Sequence, residues 1–356
     1  MSDAAAGIDP TVPLVVYVPF PMLHGVIDEA RLCSIHPRIE VLTTAFEVEH
    51  EARTAREQDP FSEELRTDAP ALSDEQRDAF GRAEIVFTLD VPMDLPPLAP
   101  RLRWVQCIGS GVGQYVAARL PEGGIVLTNG AGIAAAPIAE WVLARVLQIV
   151  KRLPEHDRCA AAHEWTMALG GNLAGRTVAI VGLGAIGREA ARRIRAFGVR
   201  LLGIRRSWTP GATDPDVDEL FGPGALLDVL ARSDIVVLAA PGSDDNENLF
   251  DDAAFAAMAP GAIFVNVARG TLVDEPALIR ALESGHLAGA AIDVARTEPL
   301  PPSDPLWSAP NLLVSPHSSA SAEQYAERAF DLFCENLERY VGGAPLHNVV
   351  DLADGY

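Results

Sequence analysis

The stretch "TVAIVGLGAIGREAARRIRAFG", Thr177–Gly198, decides how the rest of this chain is read. A β-branched apolar run leads into Gly182, Gly184 and Gly187, which stand in G-x-G-x-x-G register. Such a match alone is weak, and it gains meaning when a strand precedes it and a helix follows. Both conditions hold, because Ile186, Ala190, Ile194 and Phe197 recur at helical spacing and are expected to face inward. The chemistry requires glycine at each position for a different reason. Gly182 allows a tight turn, Gly184 lets the backbone approach a pyrophosphate, and Gly187 lets helix and strand pack closely. The helix N-terminus then presents unpaired N–H groups and partial positive charge to phosphate. Gly182, Gly184, Ala185, Ile186 and Gly187 are therefore expected to cradle a dinucleotide.

The next strand, "VRLLGI", ends at a position where an acidic residue would hydrogen-bond the adenosine ribose. Arg205, Arg206 and Ser207 stand there instead. A carboxylate would repel a 2′-phosphate, whereas a guanidinium pairs with it. A charge-assisted hydrogen bond contributes about 1.5–3 kcal/mol, or roughly 10- to 100-fold in affinity. This favours NADP(H) over NAD(H); the alternative is a pair of solvated arginines.

Outward from this site, the segments "TVAIVG", "VRLLGI", "DIVVLAAP", "AIFVNVA", "GAAIDV" and "NLLVSPH" alternate with helical stretches, the rhythm of a doubly wound parallel sheet. Asp274 is placed to cap a helix over Glu275–Ser284, with Gly285 and Gly198 ending helices. An earlier alternation, Leu14–Val18, Ile39–Leu42, Glu84–Thr88, Leu102–Cys107 and Ile125–Asn129, predicts a second parallel sheet. The acidic segment Glu47–Phe80 reads as a solvated helix-and-loop excursion. Apolar residues on more than one face of Pro137–Leu153 predict a helix buried on several sides, within its domain or against another subunit. The tail Ser321–Val341 carries Tyr325, Ala329, Leu332, Phe333, Leu337 and Tyr340 on one stripe and should pack back on the body.

Bulk properties bound the function. At 356 residues the chain exceeds what one hydrophobic core usually serves, so two domains are expected. The net charge of −21, with Lys151 the only lysine and no basic cluster, argues against nucleic acid or an anionic membrane as partner. Cys33, Cys107, Cys159 and Cys334 form no C-x-x-C pair and read as inert thiols rather than a disulfide or metal framework. The N-terminal "MSDAAAGIDPTVP" has neither the basic start nor the apolar core of a signal peptide. No apolar run is long enough to span a bilayer, and a cytoplasmic location is expected.

Three further stretches carry a candidate catalytic set. "VNVARGTLVDE" places Arg269 just past a strand, "AIDVARTEPLPPSDPLW" places Glu298 in a Pro-rich loop, and "NLLVSPHSSA" places His317 at a strand tip. A lone histidine at a strand end is more often structural. Together with an arginine and a glutamate beyond the carboxyl ends of one sheet, where such sheets bind ligands, it reads as catalytic.

These motifs, with "VGLGAIG", "AAPGSDDNENLF", "IGSGVGQY" and "LTNGAGIAAAPIAEW", resemble in order and spacing the D-isomer-specific 2-hydroxyacid dehydrogenase family, in its glyoxylate/hydroxypyruvate reductase-like branch. The resemblance implies an α/β fold of two domains. A discontinuous flavodoxin-like substrate domain, 1–127 and 319–356, would flank an inserted Rossmann dinucleotide domain, 128–318. It implies interconversion of a small 2-oxo acid and its D-2-hydroxy acid by hydride transfer, without a metal, in a homodimer. Arg269 would bind the substrate carboxylate and polarise the keto oxygen, His317 would give and take the proton, and Glu298 would stabilise the imidazolium. Backbone N–H groups of Ser110, Gly111, Val112 and Gly113 would hold the carboxylate. Pro241, Val267, Ala268, Asp293, His317 and Ser319 would line the cofactor, with Asp293 toward the nicotinamide amide. Departures from the family pattern include Gln114 in place of Asp, Ala295-Arg296 in place of Phe-Glu, "PGSDDN" in place of a Pro-Leu-Thr run, and "PHSSA" without the frequent glycines. A formate dehydrogenase of the same superfamily would carry glutamine where Glu298 stands. A cofactor-sensing corepressor-like scaffold keeps the catalytic set and is separable only by assay.

Overall fold

The computed structural model describes residues 11–320 and 323–352. Most of the N-terminal "MSDAAAGIDPTVP", read as lacking signal-peptide features, lies outside the described residues. The chain divides into two compact units, Met1–Ile133 with Ala322–Tyr356, and Ala134–Ser321.

The first unit is built from β1 (Leu14–Tyr17), α1 (Glu29–Ile35), β2 (Ile39–Leu42), α2 (His50–Gln58), α3 (Glu63–Thr67), α4 (Asp74–Arg82), β3 (Ile85–Thr88), β4 (Trp104–Cys107) and β5 (Val126–Thr128). The five strands are all parallel and ordered β2-β1-β3-β4-β5, the flavodoxin-like arrangement. Strands β1, β3 and β4 are buried throughout, because helices cover both faces and leave no polar side to the sheet. One face packs Phe80, Val86, Val105 and Leu127; the other packs Val16, Phe87, Trp104 and the C-terminal helix Tyr325–Val341. That helix buries the expected stripe, with Phe333 stacked on Trp104 at 5.4 Å between ring centroids. Its buried Asn336 donates to Gln106 Oε1 at 2.9 Å, so this polar group is satisfied inside the core.

The acidic excursion folds as α2, α3 and α4, and it is less solvated than its composition suggests. Phe80 is fully buried and Arg56 is buried beside Asp90. Ser73 and Gln76 form a reciprocal capping box that starts α4.

The second unit holds α5 (Ala135–Val150), α6 (Leu153–Ala161), β6 (Thr177–Val181), α7 (Ala185–Arg195), β7 (Arg200–Ile204), β8 (Glu219–Phe221), α8 (Leu226–Ala231), β9 (Ile235–Leu238), α9 (Asp252–Ala257), β10 (Ala262–Asn266), α10 (Glu275–Glu283), β11 (Leu287–Ile292) and β12 (Leu312–Val314). Its seven parallel strands run β12-β11-β10-β9-β6-β7-β8, so the order reverses between β6 and β9. This is the doubly wound Rossmann topology, with its ligand crevice at that reversal. The long helix expected to Leu153 stops at Val150, because Arg152 turns left-handed (φ 57°) and Pro154 opens α6 without an N–H to continue the ladder. Asp274 caps α10 by accepting the Ala277 N–H, and Gly198 and Gly285 end their helices at positive φ. Phe197, expected to face inward, is 38% exposed where α7 has already ended. Among the described residues no helix is long and apolar enough to cross a membrane.

Candidate active site

The glycine loop lies at the strand-order reversal. Gly182 has φ 100°, and a Cβ there would sit 2.5 Å from the Ala240 nitrogen beyond β9. A Cβ on Gly187 would lie 2.0 Å from the Gly182 carbonyl oxygen, so the first turn of α7 can only close on glycine. Nothing lies within 4 Å of the Cβ position of Gly184, which leaves its backbone open to an incoming ligand. A cavity of about 550 Å³ opens here, lined by Gly182, Leu183, Gly184, Arg188, Arg205, Arg206, Ser207, Ala240, Pro241 and Ser243 among others. The residues present fit a dinucleotide: an open glycine backbone at a helix N-terminus for the pyrophosphate, apolar Leu226 and Leu249, and guanidiniums beyond β7. The Nε–H of Arg205 is buried with no partner among the described residues, a donor open to a ligand oxygen.

At the carboxyl ends of β10, β11 and β12 stand Arg269, Glu298 and His317. The His317 N–H donates to the Asp293 carbonyl at 2.8 Å, fixing a left-handed residue (φ 48°) at the strand tip. Asp293 is buried and accepts from the Ser315 hydroxyl at 2.5 Å and the N–H groups of Ser318 and Ser319 at 2.9 and 3.0 Å. This carboxylate therefore anchors the loop that carries the imidazole. Nδ1 of His317 lies 2.8 Å from Glu298 Oε2, which leaves Nε2 as the ring's outward nitrogen. The bond to Glu298 holds His317 above its ordinary value, against the partial loss of solvent on its inner side and the nearby Arg269 charge. Burial pushes Glu298 up, and the bonds from His317 and the Ala295 N–H outweigh it, so the carboxyl stays below its usual range. Arg269 is exposed, its Nη1 donates to the Ala268 carbonyl at 2.8 Å, and no described carboxylate pairs with it. Val267 and Ala268 are buried behind it, whereas Pro241 is exposed at the cavity.

In the first unit, Ser110–Gly113 follow β4, with Ser110 and Gly111 less buried than the strand itself. The Ser110 carbonyl is pinned by Asn129 Nδ2 at 3.0 Å, and none of the four N–H groups donates to another described residue. A run of free N–H groups is suited to an anion. Helix α2 packs over this loop, with Glu57 so close that a Cβ on Gly113 would fall 2.5 Å from it.

Residues 143–319 match the model described as "D-isomer specific 2-hydroxyacid dehydrogenase, NAD binding domain". A glyoxylate reductase of Korarchaeum cryptofilum is 32% identical over 280 residues, covering 75% of this chain and 82% of that one. The chain belongs to the D-isomer specific 2-hydroxyacid dehydrogenases. Two solved structures share the fold. The NADPH-dependent glyoxylate/hydroxypyruvate reductase of Sinorhizobium meliloti, in complex with NADP and sulfate, is 27% identical at TM-score 0.73, covering 97% of this chain and 100% of that one. A family member from Xanthobacter autotrophicus Py2, in complex with NADPH and MES, is 28% identical at TM-score 0.73, covering 97% and 99%. This dehydrogenase is thus an NAD(P)-dependent oxidoreductase acting on the CH–OH of a 2-hydroxy acid, or on the corresponding 2-oxo acid in reverse.

Two further residues, Gly270 and Arg296, shape the corner that holds Arg269, Glu298 and His317. A Cβ on Gly270 would fall 2.0 Å from the Ala295 carbonyl carbon, so the loop bearing Glu298 can press against the Arg269 loop only over glycine. Arg296, at a position where the family often has an acid, reaches Glu247 at 2.8 Å and the Thr271 carbonyl at 3.1 Å, while its N–H donates to Glu275 at 2.6 Å. It ties the Glu298 loop to two neighbouring loops.

Proposed function

We propose that this dehydrogenase reduces a small 2-oxo acid such as glyoxylate or hydroxypyruvate with NADPH. Arg269 binds the substrate carboxylate and polarises the keto oxygen; within the first unit, the N–H groups of Ser110–Gly113 are suited to an anion. His317, held as imidazolium by Glu298, delivers a proton from Nε2 to the developing alkoxide. The nicotinamide supplies the hydride, and the chain's task is positioning and charge stabilisation. The observation that carries this reading is the 2.8 Å His317–Glu298 bond beside an Arg269 that no described carboxylate neutralises. The substrate class follows the relatives, several of which are glyoxylate reductases. A panel of 2-oxo acids assayed with both NADPH and NADH tests it. Turnover of glyoxylate or hydroxypyruvate, fastest with NADPH, is expected; cofactor binding with no turnover of any 2-oxo acid would leave the corepressor-like scaffold in its place.

A homodimer is proposed as well. Helix α5 leaves Trp141, Leu143 and Leu147 only half-buried, and Trp165, Met167 and Leu169 in the segment after α6 are 105%, 83% and 76% exposed. Large apolar groups so exposed mark an interaction surface. Sedimentation at micromolar concentration should give a dimer, and Trp165→Ser with Met167→Ser should weaken it; a wild-type monomer would refute the assignment. The four unpaired cysteines accord with a reducing compartment.

A further inference from the structure

The loop between β7 and β8 carries two acids that no sequence motif marks. Asp214 and Asp216 have side chains only 3% and 9% exposed. Asp214 faces Arg188 as a fork: Nη1 donates to Oδ1 at 2.8 Å and Nη2 to Oδ2 at 2.7 Å. Its remaining acceptor positions take the Asp216 N–H at 3.1 Å and Arg205 Nη1 at 3.3 Å. A carboxylate offers about four lone-pair sites, so Asp214 is saturated and has nothing left to turn toward the cavity. Asp216 takes Arg188 Nη1 at 2.9 Å and the Nε of Arg192 at 2.9 Å. Arg188 rises from the first turn of α7, directly behind the glycine loop, and both Arg188 and Arg205 line the cavity.

Two guanidiniums packed side by side repel each other, and long side chains lose entropy when ordered. A shared buried carboxylate removes both obstacles before a ligand arrives. Arg192, the third guanidinium on this pair of acids, is also paired with Glu189 at 2.8 Å, which leaves Arg188 and Arg205 as the two that face the cavity. The donors also remain available: Arg188 uses three of its N–H groups and Arg205 one of five.

We propose that Asp214, supported by Asp216, is a positioning residue for cofactor choice: it presents the guanidiniums of Arg188 and Arg205 as a preformed receptor for the adenosine 2′-phosphate of NADPH. This rests on the NADP reading above and adds Arg188 to the residues that make it. Arg188 holds Asp214 below its usual range, so the clamp stays charged across the working pH.

The test is equilibrium binding of NADPH and NADH to the whole protein, followed by nucleotide fluorescence, for wild type, Asp214→Asn and Arg188→Lys. Asparagine would turn an NH2 toward one guanidinium and release the fork. Asp214→Asn should weaken NADPH by about 10-fold or more while NADH changes less than about 2-fold. A merely structural role would weaken both alike. Arg188→Lys keeps the charge but not the fork, and it should lose the discrimination too, which decides the matter if Asp214→Asn does not fold. Binding of 2′,5′-ADP against 5′-AMP should follow the same pattern. A folded Asp214→Asn protein with the wild-type NADPH:NADH ratio, or with tighter NADPH, would overturn the clamp alone. A wild-type ratio near one would overturn the NADP reading and the clamp with it.

Discussion

His317→Ala is expected to leave NADPH binding within about 2-fold of wild type while lowering the rate of 2-oxo acid reduction by about 10²–10⁴-fold, the usual contribution of a positioned general acid. The imidazole sits at a strand tip, exposed, with its backbone held by Asp293 rather than by the ring. Removing the ring therefore costs little packing, and the fold should survive. The loss should fall on kcat more than on KM, because proton delivery stabilises the transition state and not the bound acid. Single-turnover absorbance of NADPH separates the two. A variant with near-normal kcat would remove His317 from proton transfer.

The second large effect concerns the cofactor. Arg205→Gln with Arg206→Gln should shift preference toward NADH by about 10-fold or more, through a raised KM for NADPH at similar kcat. These side chains line the cavity beyond β7, and Arg269 is not among its lining residues, so they act on affinity and not on the reacting carbon. Glutamine is chosen over aspartate because Arg205 lies 3.3 Å from Asp214, and a new carboxylate there would meet a buried like charge. Steady-state kinetics with both cofactors reads the ratio. Comparable NADH and NADPH kinetics in the wild type would remove these arginines from cofactor choice.

Much of the fold and of the site is legible in the chain's local patterns. Glycine at positions 182, 184 and 187, between an apolar strand and a helical stripe, marks a turn that larger residues would block at 182 and 187, and local pattern is enough to see it. Buried parallel strands read as continuous apolar runs, and the tail helix shows its stripe. Arg269, Glu298 and His317 stand out because each follows a recognisable strand. Other features depend on partners remote in sequence. Nothing near Gly270 announces that Ala295 presses against it, and Asp214 reads as loop until Arg188 and Arg205 arrive from two other elements. Strand β8 opens on Glu219 and is only half-buried, so no apolar run marks it. The excursion hides its helices because α2 and α4 are rich in charge, and Arg56 is buried through a carboxylate rather than through apolarity.

Whether Glu298 keeps His317 protonated for reduction is read most directly from the pH dependence of kcat/KM for the 2-oxo acid. His317 is raised above its ordinary value chiefly by Glu298, so in the wild type reduction should fall only as pH rises through a value higher than that of a free imidazole. In Glu298→Gln the stabilising charge is gone, the imidazole loses its proton earlier, and the falling limb should move to lower pH. A falling limb at the same pH in both proteins would contradict the account.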